Sequence, residues 1–109
     1  MANYVLVETR DPFDSSDVED LYALAEGLAE QADEVTVFLV QNGVLPVRKA
    51  SAAGKRVAAL AKRTSVLADE FSLRERGIRN EELAKGVTPA SIDTLVDLVV
   101  EDGRKVIWH

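Results

Sequence analysis

The 109-residue sequence has no cysteine and a single histidine. Without a thiol there is no disulfide, no zinc–thiolate or iron–sulfur site and no cysteine nucleophile. A lone histidine rules out multi-histidine metal sites. A carboxylate site for Mg²⁺ is the metal chemistry left open, but no metal ligand and no cofactor is identified. No apolar run approaches the ~20 residues that a membrane helix needs. A basic stretch followed by an apolar one, as in a secretory signal, is also missing at the N-terminus, so a cytoplasmic location is expected. The phosphate-cradling loops G-x-G-x-x-G and the Walker lysine loop are absent. So is the G-x-S-x-G nucleophile elbow.

What is present fits an ordinary globular domain. Hydrophobic residues make up 47% and charged residues 29%, which excludes the disordered and low-complexity classes. The length implies one domain, residues 1–109, with most of its apolar side chains in one core.

Charge is unevenly placed. Residues 1–34 hold ten acids and one base, residues 35–63 six bases and no acid, and residues 64–109 nine acids and six bases. The middle bases fall in pairs seven residues apart, Arg48-Lys49, Lys55-Arg56 and Lys62-Arg63. If residues 48–63 are helical, that spacing returns each pair to nearly one face. Such a stripe suits a solvated face, or docking on an acidic surface such as the first helix of another subunit. Nucleic acid suits it less: the chain carries a net charge of -6 and no aromatics interleave with the bases.

The order of elements predicts an α/β fold. Tyr4-Val5-Leu6-Val7 reads as a strand and Thr9–Asp14 as a loop. Ser16-x-x-Glu19 has the form of a capping box before a helix over residues 17–32, striped by Val18, Leu21, Ala25, Leu28 and Ala32. Val35–Val40 is apolar throughout, the pattern of a strand buried on both faces of a parallel sheet. Gln41-Asn42-Gly43 reads as a turn. The next helix carries Val57, Leu60 and Ala61, with Gly54 weakening its start. Ser65–Ala68 is a third strand. Ser72-x-x-Glu75 has the form of a second capping box, with Gly77 as the stop. Residues 78–87 fit no clear pattern. Thr88-Pro89 reads as a helix start before the stripe Ile92, Leu95, Val96, Val99 and Val100, which Gly103 ends. Lys105–Trp108 is a last strand. This alternation predicts a three-layer α/β/α domain around a mostly parallel sheet of four or five strands, wound in the flavodoxin manner.

Ligands of such sheets bind beyond the carboxyl ends of the strands. That rule gathers Thr9, Arg10, Asp11, Gln41, Asn42, Gly43, Asp69, Glu70, Ser72 and His109 on one edge. Asp11 and Asp69 could share an ion or divide acid and base roles, or simply turn a loop and end a strand. His109 could act as a base, although chain ends usually fray. Arg74 and Arg76 could hold an anion or remain solvated. An aspartate closing the third strand also allows a receiver-like phosphoacceptor, but only Asp11 follows the first strand and no lysine ends the last.

The stretch Val66-Leu67-Ala68-Asp69-Glu70-Phe71-Ser72-Leu73-Arg74-Glu75-Arg76-Gly77-Ile78 resembles the active-site segment of the DsrE/DsrF-like family, which includes the TusD-type sulfur-relay subunits. Val35–Gly43, Glu81–Val87 and Lys105–Trp108 resemble the family's second strand and Asn-Gly turn, its Glu-Leu…Gly-Val stretch and its closing strand. The resemblance implies a three-layer subunit that assembles into trimers, hexamers or mixed hexamers with cysteine-bearing homologues. Active members carry sulfur as a persulfide on a cysteine at the end of the third strand, where this sequence has Asp69. A carboxylate cannot hold persulfide sulfur. The resemblance therefore implies a structural, partner-binding or small-ligand-binding subunit. The alternative is a small hydrolase or isomerase using Asp69 with Glu70, Asp11 or His109. Neither nucleic acid nor a membrane is implied as a partner.

Overall fold

The apolar runs become neighbouring strands because only a sheet covered on both sides can bury them. In the computed structural model, which describes residues 3–31, 34–101 and 103–109, the strands are β1 (Asn3–Glu8), β2 (Glu34–Leu39), β3 (Ser65–Asp69), β4 (Val87–Ala90) and β5 (Arg104–Trp108). The helices are α1 (Asp17–Ala29), α2 (Ala52–Ala61), α3 (Glu70–Glu75) and α4 (Ile92–Val100). The sheet order is β4-β3-β2-β1-β5 and every pairing is parallel. Helices cover both faces, as in flavodoxin-like winding, but here the direction reverses with β5.

Side chains alternate between two cores. Leu6, Val37, Leu39, Val66 and Ala68 face Val18, Leu21, Tyr22 and Ala25 of α1 and Val57 and Leu60 of α2. Val5, Val7, Phe38 and Val40 face Leu95 of α4, with Leu98 and Val99 packed alongside. All the strands run the same way, so their carboxyl ends share one edge.

Several local expectations change. Ser16 precedes α1 but makes no side-chain cap bond. The entry is instead tied by Asp11, whose carbonyl accepts from Asp14 and Ser15 N–H at 3.1 and 2.9 Å. The helix ends at Ala29, with Glu30 as its C-cap, short of the expected residue 32, which itself lies outside the described residues. Gln41–Val47 forms a 3₁₀ helix rather than a simple turn. Ser72 does not cap α3; it sits inside the helix and Asp69 caps it. Gly77 does stop α3: its φ is +66°, and Ile78 N–H returns to Leu73 O at 2.9 Å, closing a Schellman turn. Thr88-Pro89 lies in β4, an edge strand where a missing N–H is tolerated. The cap of α4 is Ser91, whose hydroxyl accepts from Thr94 N–H.

The cationic stripe also resolves differently. Arg48 and Lys49 precede α2, and Lys62 and Arg63 follow it. Arg56 binds Glu19 and Glu26, and Arg63 binds Glu30, at 2.8–2.9 Å. Arg48 pairs with Glu82 at 3.2 Å. The acidic first helix therefore meets the arginines of the second helical segment within one chain. The hydrogen bond from Arg56 holds the Glu19 carboxyl below its ordinary range, and burial pushes the Tyr22 phenol well up.

Gly54 is required by packing rather than merely tolerated. A Cβ there would stand 1.9 Å from the carbonyl oxygen of Arg48, a backbone atom that cannot swing aside. Gly54→Ala gains about 1 kcal/mol of helix propensity but meets an overpacking cost of about 1–3 kcal/mol or more. Chemical denaturation should therefore show net destabilisation; a more stable Gly54→Ala protein would contradict the close approach.

Candidate functional site

Asp69 occupies the end of β3, one residue before α3. It is 5% exposed, and Ser72 is 3% exposed. Asp69 Oδ2 accepts from Ser72 N–H at 3.1 Å and from Ser72 Oγ–H at 2.7 Å. Ser72 Oγ in turn accepts from Gln41 N–H at 2.8 Å. Gln41 holds a φ of +52°, a left-handed conformation that costs an L-residue about 1–2 kcal/mol. This chain of bonds couples the ends of β2 and β3 and engages one carboxylate oxygen. The other, Oδ1, is buried without a partner.

A pocket of about 570 Å³ opens on this face of the sheet edge. Thr9, Gln41, Asp69, Glu70 and Ser72 line it, as the rule for parallel sheets implies. The sequence reading missed its apolar walls: Val40, Phe71, Ile92, Leu95 and Trp108. Glu75 and Ser91 line it as well, and so does Arg74, for which the sequence leaves an anion contact or solvation open. The one available signal was that Trp108 and Ile92 are bulky apolar residues at the end of a strand and the start of a helix.

The other expected site residues lie elsewhere or are engaged. Asp11 Oδ1 accepts from Phe13 N–H at 2.9 Å, so this acid turns the loop. Asn42 Oδ1 accepts from Arg76 at 3.0 Å. Arg10 is exposed, and its N–H reaches Glu8 Oε2 at 3.2 Å. Gly43 is buried against β1, where a Cβ would stand 2.2 Å from Glu8 O.

His109 is not frayed. Its N–H bonds Val7 O at 2.8 Å, and its carbonyl accepts from Thr9 N–H and from Thr9 Oγ. Its Nδ1 faces both oxygens of Glu8, at 2.7 and 2.9 Å, and donates to that carboxylate. Glu8 is fully buried. Alternation along β1 and β5 places Glu8 and His109 on the α1 side of the sheet, opposite Trp108 and the Asp69 pocket. Asp69 and His109 are thus not brought together as an acid–base pair. The apolar run that marks the strand in the sequence stops at Val7, whereas β1 continues through Glu8. Among the described residues, no group of three or more histidines and acids could hold a metal.

With this geometry in view, the family-model comparison is decisive: the model of the DsrE/DsrF-like family matches residues 2–108. The chain belongs to the DsrE/DsrF-like family. Among solved structures, the ychN protein of E. coli is similar over 100% of both chains, with TM-score 0.87 and 21% identity. MTH1491, a protein of unknown function from Methanobacterium thermoautotrophicum, is similar over 100% of both chains, with TM-score 0.82 and 21% identity. BT1422 of Bacteroides thetaiotaomicron matches at TM-score 0.78 and 13% identity, covering 98% of this chain and 95% of that one. A search of curated proteins found no match. At these identities the structural likenesses establish the fold.

His109→Ala removes the main partner of a buried carboxylate. Leaving a buried group short of a hydrogen-bond donor costs about 1–3 kcal/mol, and a loss in that range is expected by urea denaturation. No measurable loss would show that Glu8 does not depend on His109.

Proposed function

We propose that this chain is a cytoplasmic, self-associating member of the DsrE/DsrF-like family that does not carry sulfur and serves as a small-ligand-binding subunit. The observation that carries this reading is Asp69: a buried carboxylate, fixed through one oxygen and unpartnered at the other, in a pocket with apolar walls. Relation to sulfur-relay subunits does not supply this stretch with a sulfur acceptor, because a persulfide needs a thiol and the 109 residues contain none. No helix among the described residues is long and apolar enough to cross a membrane.

Support for self-association comes from α4. Leu95, Leu98 and Val99 face the core. Ile92, Val96 and Val100, four residues apart along the flank next to that face, are 52%, 50% and 70% exposed, with Ile92 at the pocket end of the row. Single exposed apolar residues are unremarkable, but a continuous row with more apolar surface nearby is characteristic of an interface. Phe71 and Trp108, 58% and 62% exposed, add to the apolar surface near the sheet edge. A trimer or hexamer of this chain, or a mixed assembly with cysteine-bearing homologues, would cover such a row. The hydrolase alternative has less support: Asp69 shares its pocket with Glu70 and Glu75, but neither Asp11 nor His109 lines it.

Light scattering coupled to gel filtration tests the assembly. The purified protein should have a mass of several chains at micromolar concentration, and Val96→Glu should shift it toward one chain while preserving the circular dichroism spectrum. A strict monomer that forms no complex with a cysteine-bearing homologue would overturn the self-association.

A further inference from the structure

The pocket's chemistry specifies the kind of ligand, an inference that rests on the small-ligand reading. Three carboxylates line it, Asp69, Glu70 and Glu75, against one guanidinium, Arg74. Glu70, Glu75 and Arg74 are exposed at the rim, while Asp69 lies at the floor, 5% exposed. Asp69 Oδ2 is saturated by two donors from Ser72. Oδ1 has none. A buried acceptor left without a donor is costly, and more so when it is charged. A ligand that brings a donor removes that cost, so an N–H-bearing cation has an advantage here that an anion lacks.

The walls define the rest of the molecule. Val40, Phe71, Ile92, Leu95 and Trp108 offer apolar and aromatic surface, suited to a flat hydrocarbon body. Oδ1 has almost no surface of its own. A donor therefore reaches it only if the carboxyl group turns outward. That favours a slender primary ammonium over a bulky quaternary one. Ser72 holds Oδ2 and is itself held by Gln41 N–H, which keeps that turn small.

We propose that this pocket binds a small primary amine with a flat apolar body, the ammonium group donating to Asp69 Oδ1 and the body resting between Phe71, Ile92 and Trp108. Trp108 is the only tryptophan in the sequence, so its fluorescence reports on the pocket directly.

The test titrates four probes of one shape into the full assembled protein: 2-phenylethylamine, its trimethylammonium analogue, 2-phenylethanol and phenylacetate. The amine should change Trp108 emission saturably and bind most tightly. Asp69→Asn keeps a side-chain oxygen for the Ser72 cap and should weaken the amine about tenfold or more, as expected when a charged hydrogen bond is lost. Phe71→Ala, at an exposed wall, should weaken all bound probes alike. Equal binding of the primary and quaternary ammonium probes would overturn the hydrogen bond to Oδ1. Tighter binding of phenylacetate would overturn the cation preference while leaving a small-ligand pocket in place. Absence of any saturable change in a protein that still assembles would overturn the ligand proposal and leave the self-association intact.

Discussion

The hydrogen-bonded chain from Gln41 N–H through Ser72 to Asp69 is the contact on which the site depends. It ties the turn after β2 to the helix after β3. A carboxylate cap does this better than most residue types, because its two oxygens can serve the helix and a ligand at once. Asp69 therefore has a structural role as the cap of α3 and leaves chemistry available at its second oxygen. At this strand end the chain has an oxygen acid, which can orient a donor or hold a cation but cannot store sulfur.

The surrounding fold makes the contact possible. Parallel pairing brings every strand's carboxyl end to one edge, and the crossover to β5 puts α4 on the face opposite α1 and α2. The pocket forms between α3, α4 and the end of β5. On the other face, buried Glu8 and half-buried His109 close the same edge by a carboxylate–imidazole contact. Three of the six bases in the middle of the chain, Arg48, Arg56 and Arg63, pair with acids of the same chain, so part of the uneven charge is met within the domain.

Much of this was legible in the residues. Val35–Val40 announced a fully covered strand, and the alternation of apolar runs with helical stripes announced parallel crossovers. The resemblance around Val66–Ile78 led to the position of Asp69. The misreadings share a cause: local patterns compete, and tertiary contacts choose among them. Ser72-x-x-Glu75 has the form of a capping box, but Asp69 lies three residues before Ser72 and takes the cap. Thr88-Pro89 suits a helix start equally well, yet Val87–Ala90 completes the sheet at an edge where proline costs little. Gly54 lowers helix propensity in any local scale, and only the approach of the Arg48 carbonyl explains it. The Glu8–His109 pair joins residues 101 positions apart, beyond the reach of spacing. The apolar walls were invisible for a similar reason, since residues of α4 and β5 line one pocket with the end of β3 only after folding.

A crystal structure of the assembled protein soaked with 2-phenylethylamine tests the role of Asp69 most directly. The amine nitrogen is expected within about 3 Å of Asp69 Oδ1, with Ser72 still on Oδ2 and the ring against Trp108. A structure in which this chain or a neighbouring subunit already supplies the donor to Oδ1, leaving the amine elsewhere, would contradict the account.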